Sequence, residues 1–434
     1  MIILLSLLVA SSCQGKERVR PEIVAQNLEV SRDTILIERI GRVDGDKLLI
    51  EKDVDLKGSI CVFPKGITLY AKGGIIRNGV LVGQSTKIGT KGVLFDRTTI
   101  KGSWNVPEIS TRLFAHLDDE NALRNVVALA SPKVQNKIVI EKGNYRVKAM
   151  KSGDVCMALC SNTDLVLNGT VKLVPNNYKS YNIIQVKGKN ISITGKGTII
   201  GDKHTHTGTT GEWGMGVRFH NAINASINGL TIRDCWGDCI YVGGSSRNVT
   251  IEKCILDHGR RQGISVTKAN GVTIRNCMIT NVGGTAPEYA IDIEPNKRDF
   301  VDNIRIVNVT VRECEGGLLV TRGKPKDGAK TPWIGSVTIR NCQVSSKNKR
   351  PIVIKRCEEV KIEKCSLCAQ KGRTAIAVTE TGKAVVQNNI ASIDGGIFEK
   401  AKNSAKKLMG KAMEPIHVET TGRCLVKNNQ IVER

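Results

Sequence analysis

Four acidic residues carry the chemistry this chain could do: Glu212, Asp238, Asp292 and Glu294. Asp292 and Glu294 stand two apart in Ala290-Ile291-Asp292-Ile293-Glu294. On a β-strand that spacing sets their backbones about 6.5 to 7 Å apart, and both are expected to point outward. Carboxyl groups roughly 5 to 10 Å apart are what glycosidic bond cleavage uses, one protonating the leaving oxygen and the other acting as base or nucleophile. Asp238 would face that pair across a sugar. Glu212 lies beside Trp213, whose indole offers a flat face to a sugar ring. For each acid the alternative is a solvated turn carboxylate or an ion-pair partner. Arg260, Arg261 and Gln262 come from the turn between Asp238 and Asp292. Arginine pairs bidentately with carboxylate or sulfate, so they suit an acidic sugar, or else bridge turns through Asp257 or Asp238.

These residues are far apart in sequence, and a repeat is what would bring them together. A strand, two residues and a cysteine recur in Thr231-Ile232-Arg233-Asp234-Cys235, Thr250-Ile251-Glu252-Lys253-Cys254 and Thr273-Ile274-Arg275-Asn276-Cys277. The phrase returns before Cys314, Cys342 and Cys365. The base unit is about 23 or 24 residues, with three turns longer by about ten, and units this short must stack to bury an apolar face. Each holds short runs of period-two alternation and no helix of crossover length, which predicts strands wound into a coil. The expected fold is all-β, a right-handed parallel β-helix, since parallel crossovers are right-handed.

Alignment of the inward apolar pairs Val217/Phe219, Ile240/Val242, Ile264/Val266, Ile291/Ile293 and Leu318/Val320 predicts one sheet. The residue between each pair faces out, giving the column Arg218, Tyr241, Ser265, Asp292, Leu319. His220, Gly243, Thr267, Glu294 and Thr321 come one step beyond, and Met215, Asp238, Gln262, Tyr289 and Gly316 precede it. Candidate substrate-binding residues on this face are Arg218, Tyr241, Arg260, Arg261, Gln262, Trp213 and His220. The three long turns, 201–214, 281–289 and 321–335, fall beside the sheet and would wall a cleft. The last is basic, with Arg322, Lys324, Lys326 and Lys330.

Residues 1–16 read as an export signal whose apolar run, Ile2 to Ala10, is too short to span a bilayer and ends near Cys13. The stretch resembles a bacterial lipoprotein signal, which implies lipidation of Cys13 and a place at the outer membrane, cell surface or periplasm. A plainly cleaved signal is the alternative. No other segment is long enough to cross a membrane. The net charge of +24 suggests an acidic polymer as partner. Export and few aromatics argue against nucleic acid. At least six of the 14 cysteines share one repeat position and are read as small core residues, with disulfides between turns left open. Cys235/Cys239 and Cys365/Cys368 lack the further ligands a zinc site needs.

Residues 17–114 read as a small β-rich module, with strands around Leu48–Ile50, Ile60–Phe63 and Ile67–Tyr70. Asp118 to Ala130 reads as a helix capping the first turn of the coil, which covers residues 115–434. Residues 398–413, rich in Lys and Ala, suggest a short helix or a mobile turn. The module resembles one found ahead of β-helices in surface proteins of Bacteroidetes. The helix followed by Ile138-Val139-Ile140-Glu141-Lys142-Gly143-Asn144-Tyr145 resembles the opening of pectate-lyase-like domains. Over residues 210–300 the sheet resembles the catalytic sheet of polygalacturonases. Gly237-Asp238-Cys239-Ile240 is similar to that family's Gly-Asp-Asp-Cys-Ile, with Gly237 in place of the first aspartate. Gln262 stands where the family has histidine, Asp292 and Glu294 where it has Arg-Ile-Lys, and Met215 near its earlier acid. Only Asp238 carries over.

The leading expectation is an exported glycoside hydrolase acting on a polysaccharide, with Asp238 and the Asp292/Glu294 pair as acid and base or nucleophile. A polysaccharide lyase or uronate epimerase is the alternative. It would use a Lys or Arg base, with calcium on Asp238, Asp292 and Glu294 neutralising a uronate. A non-catalytic glycan-binding or adhesin rod is the third. The hydrolase reading needs no cofactor and no metal.

Overall fold

The structure, a computed structural model, describes residues 34–296, 298–323, 333–370, 372–394 and 415–433. Cys13 and the export signal, Lys324, Lys326, Lys330 and the Lys/Ala-rich stretch 398–413 lie outside the described residues.

Period-two alternation becomes parallel strands. Among the described residues, 21 strands form one sheet and 11 another. The larger sheet wraps two faces of a coil because its long strands bend around a corner. Trp213–Asn228 pairs with Ser180–Thr194, and its two halves pair separately with Ile240–Gly243 and Ser246–Glu252 on the next turn. The third face is the 11-stranded sheet, which includes Thr231–Arg233, Ile255–Asp257 and Met278–Thr280. The fold is therefore a parallel β-helix with three strands per turn, successive turns rising by about 4.8 Å.

The repeated phrase has a local cause. The residue before each repeat cysteine takes the left-handed backbone conformation and turns the chain: Asp234, Lys253, Asn276, Glu313, Asn341 and Lys364 all have φ between 51° and 57°. The cysteine that follows is buried, and its thiol lies against the carbonyl two residues back, as in Cys254 to Glu252 O and Cys277 to Arg275 O, both 3.3 Å. A small side chain with a weak donor fits that corner. Every described cysteine is a free thiol, including the candidate pairs Cys235/Cys239 and Cys365/Cys368. At other corners asparagines stack between turns, Asn248 Nδ2 donating to Asn224 Oδ1 at 3.0 Å.

The N-terminal unit is also a parallel coil, with shorter turns: Thr34–Ile35, Ile60–Val62, Val80–Ile88 and Thr99–Trp104 pair in sequence. Its core and that of the longer coil form one cluster running from Ile40 to Ala391. The expected helix is shorter than 118–130 and spans Ala122–Ala128. Asp119 does not enter it. Its carboxylate accepts from the Asn121 N–H and its carbonyl from Ala122, holding a turn ahead of the helix. Asn125 on the helix accepts the Ile100 N–H at 3.0 Å, which ties the helix to the N-terminal unit.

Inward positions form continuous apolar columns. Ile227, Ile251, Ile274, Ile306, Ile339 and Ile362 pair turn by turn, and all are fully buried. Thr250, their neighbour on the outer surface, is only half-buried. Ile251→Ala should lower unfolding free energy by about 2 to 5 kcal/mol, and Thr250→Ala by less than about 1 kcal/mol, in denaturant titrations. Equal losses would contradict the inward and outward assignment.

Candidate functional site

The outward column exists as the sequence predicts. Arg218 pairs with Tyr241, Tyr241 with Ser265, Ser265 with Asp292, and Asp292 with Leu319. The carboxylates, however, do not face solvent. Asp238 is 0% exposed and Asp292 3%, because Arg261 and the neighbouring turns cover them. Glu294, beyond the strand end, is half-buried.

Arg261 organises the cluster. Its Nη1 lies 3.5 Å from Asp238 Oδ1 and its Nε 3.5 Å from Glu212 Oε2. Burial weighs against its charge, but Asp238, Glu212 and Asp292 outweigh that and hold its pKa above the ordinary value. Burial pushes Asp238 up to about 6, against the pull of Arg261 and Ser265. Asp292 is pushed well above the usual carboxylate range by burial and then by the Glu294 charge, with Arg261 opposing. Gln262, fully buried, accepts the Tyr289 N–H at 2.9 Å on Oε1, and so its Nε2 donates to Asp292 Oδ2 at 2.7 Å. Asp238 Oδ2, Asp292 Oδ1 and Ser265 Oγ make no hydrogen bond of normal geometry, although the Ser265 hydroxyl is near enough to Asp238 to favour its anion. A buried unsatisfied polar group costs about 1 to 3 kcal/mol, so three on adjoining turns mark a place built for something other than stability.

Gly237 shows why no acid stands before Asp238. A Cβ there would come within 2.5 Å of the Glu212 carbonyl, and the Gly237 N–H donates to Gly214 O at 2.8 Å. The turn carrying Asp238 thus packs directly on the one carrying Glu212.

A stack that sequence reasoning missed joins three turns beneath the cluster. Asp202, buried, accepts from the Tyr181 hydroxyl and pairs with His206 Nδ1 at 2.9 Å. His206 stacks on Trp236 with ring centroids 3.9 Å apart, and the Arg260 guanidinium lies 3.6 Å above Trp236. Arg260 Nη1 also donates to the carbonyls of Gly211 and Trp236, both at 3.1 Å. Arg260 was expected in the cleft; it instead clamps turns together and lies one residue from Arg261. The i, i+4 spacing of Asp202 and His206 was the one readable signal. Lys203 Nζ donates to Gly283 O at 3.0 Å, so the turns 201–214 and 281–289 are tied to each other.

Beside the cluster is a cleft of about 350 Å³ lined by Trp213, Arg218, Tyr241, Arg261, Thr267 and Asn296, among others. Trp213 is half exposed. The Tyr241 hydroxyl and Thr267 Oγ1 are 2.7 Å apart, and Arg218 lies 5.5 Å from the Tyr241 ring centroid. His220 sits outside this lining, 3.4 Å from Arg218 Nη2, its pKa lowered by burial and by the charges of Arg218 and Lys187. Arg261 lies between cleft and acids. The structure thus gathers Glu212, Asp238, Asp292, Arg261 and Gln262 at one place, with Glu294 at its edge, and leaves Arg260 and His220 outside it.

Calcium does not fit this set. Among the described residues no three acidic, histidine or cysteine side chains converge as metal ligands, and the Arg261 guanidinium already supplies the positive charge between Asp238 and Glu212.

Asp238 has a folded pKa above its unfolded value, so its contribution to stability is full below about pH 4 and is lost as pH rises through 6. Relative to Asp238→Asn, the native chain should lose about 2 kcal/mol of unfolding free energy between pH 4 and pH 7. Paired melting curves check it, and a constant difference would contradict the assignment.

Comparison with known proteins agrees with the coil. Residues 146–298 match the family described as right handed beta helix region. Uncharacterized protein YclG of Bacillus subtilis (strain 168) is 29% identical over 45% of this chain and 38% of its own length. The SPbeta prophage-derived uncharacterized protein YorA of the same organism is 25% identical over 56% of this chain and 48% of its own length. The chain therefore spans less than half the length of these two relatives. The A-module of the Azotobacter vinelandii mannuronan C-5 epimerase AlgE6 superposes with a TM-score of 0.52 at 14% identity, covering 75% of this chain and 99% of that one. At that identity the likeness shows the fold, and the fold is a right-handed parallel β-helix.

Proposed function

We propose that this chain is an exported carbohydrate-active enzyme that hydrolyses glycosidic bonds of a polysaccharide lying along the coil. The observation that carries the reading is the pair of buried carboxyl groups with raised pKa values, Asp238 and Asp292, each with one unpartnered oxygen beside Ser265. A carboxyl that keeps its proton near neutral pH is what protonates a leaving glycosidic oxygen. Glu294 and Glu212, each half-buried at the edge of the cluster, supply the base or nucleophile. Trp213 and Tyr241 offer aromatic faces to sugar rings in the cleft. A substrate arriving there meets Arg261 first, and its movement would uncover both acids.

A second reading, polysaccharide lyase or uronate epimerase, is favoured by the position of Arg261. It lines the cleft, where it would neutralise a uronate carboxylate while a neighbouring group takes the adjacent proton. A passive glycan-binding rod is the third. In each reading the partner is a polysaccharide, not a nucleic acid, and export with a lipid anchor on Cys13 would attach the chain to a membrane.

Purified protein incubated with neutral, uronic and sulfated polysaccharides separates them. Hydrolysis releases reducing ends without ultraviolet absorption, elimination creates an unsaturated, absorbing product, and a binder yields neither. Asp292→Asn, Asp238→Asn and Glu294→Gln should each lower turnover by at least about 100-fold with folding intact, as removal of an acid or base does. Turnover should fall above about pH 6 as Asp238 loses its proton. Full activity in all three variants would overturn the site.

A further inference from the structure

The site face does not end at Asp292. Its outward column continues through Leu319, Val353 and Ala377, all half-buried, so the floor turns apolar on the C-terminal side of the acids. The column preceding each strand, which holds Asp238, Gln262, Tyr289 and Gly316, continues to Arg350. The pairing fixes this, since Gly317 N–H donates to Arg350 O and Leu318 pairs with Ile352. Arg373 follows one turn later, just before the strand Ile376–Thr381.

Tyr289 reaches toward these arginines. A Cβ on Gly316 would come within 2.6 Å of the Tyr289 ring, so the ring lies across Gly316, the turn between Tyr289 and Arg350. Both Arg350 and Arg373 act electrostatically on the Tyr289 hydroxyl, opposing the upward push of burial on its pKa.

Neighbouring cations are committed elsewhere. Lys349 pairs with Glu288 at 2.6 Å, Lys355 and Arg356 with Glu380, and Lys383 with Glu359. Among the described residues no carboxylate pairs with Arg350 or Arg373, and Arg350 Nε is buried without a hydrogen-bond partner. Two uncommitted guanidinium groups beside an apolar strip and a phenol fit a sugar ring that carries an anion: the ring packs on Leu319 and Val353 while the anion meets the arginines.

We propose that Arg350, Arg373, Tyr289 and the Leu319–Val353 strip form a subsite for an anionic sugar, bearing carboxylate or sulfate, directly beside the Asp238–Asp292 centre. The inference rests on the glycan-cleaving reading for its place on the substrate, and its test reads binding alone. Calorimetry on the full chain would use three probes of one backbone sugar: an oligogalacturonate, a sulfated oligogalactan and a neutral oligogalactan. The native chain should bind at least one anionic probe at least tenfold more tightly than the neutral one, with affinity falling as salt rises. Arg350→Ala with Arg373→Ala should weaken anionic binding at least tenfold and leave neutral binding unchanged. Arg350→Gln with Arg373→Gln, which keeps more of the side-chain volume, should do the same if the first pair melts early. The preferred anionic probe distinguishes carboxylate from sulfate. Equal binding of all three probes, no binding of either anionic probe, or undiminished anionic binding by a folded double variant would overturn the subsite. Arginine-dependent anionic binding, with no turnover in the separate polysaccharide assay, would reject the hydrolase and keep the subsite.

Discussion

In-register pairing between successive turns is the constraint on which everything else depends. A strand of the coil satisfies its backbone groups only by bonding to the turns before and after it. Because side chains alternate at period two, a slip of one residue would send every isoleucine of the inner column outward. The columns of Ile and the corner cysteines therefore fix which residues become neighbours. Asp292 lies beside Ser265, and Ser265 beside Tyr241, although 51 residues separate Tyr241 from Asp292.

Given that register, electrostatics shapes the site. Carboxyl groups buried this close together are costly as anions, and the structure answers with one guanidinium and raised pKa values rather than with full pairing. Arg261 keeps its charge because three acids surround it. The stack of Tyr181, Asp202, His206, Trp236 and Arg260 fixes the backbone from which that balance is built. Arg260 adjoins Arg261 and Trp236 lies two residues before Asp238, so the stack braces the turns that carry both.

Much of this was legible beforehand. The coil, its repeat length, the column Arg218–Tyr241–Ser265–Asp292–Leu319 and the gathering of distant acids all follow from apolar periodicity, which is a local property of each strand. The burial of Asp238 and Asp292 was not, because it depends on where the Arg261 side chain lies and on how the turn 201–214 folds back. Arg260 and Arg261 look equivalent as letters, yet one clamps backbone carbonyls and the other meets the acids. The His206–Trp236–Arg260 stack has no sequence signature because its members come from three different turns and share no motif. The expected helix is too long because Asp118 and Asp119 suggest a start, whereas Asp119 serves a turn instead.

We propose that sugar is processed at the cluster under Arg261. A crystal structure of the native chain soaked briefly with a substrate oligosaccharide tests it most directly. A glycosidic oxygen should lie within about 2.6 to 3.2 Å of Asp238 Oδ2 or Asp292 Oδ1, with Arg261 displaced from Asp238. An oligosaccharide bound on another face, with the Arg261–Asp238 contact intact, would contradict it.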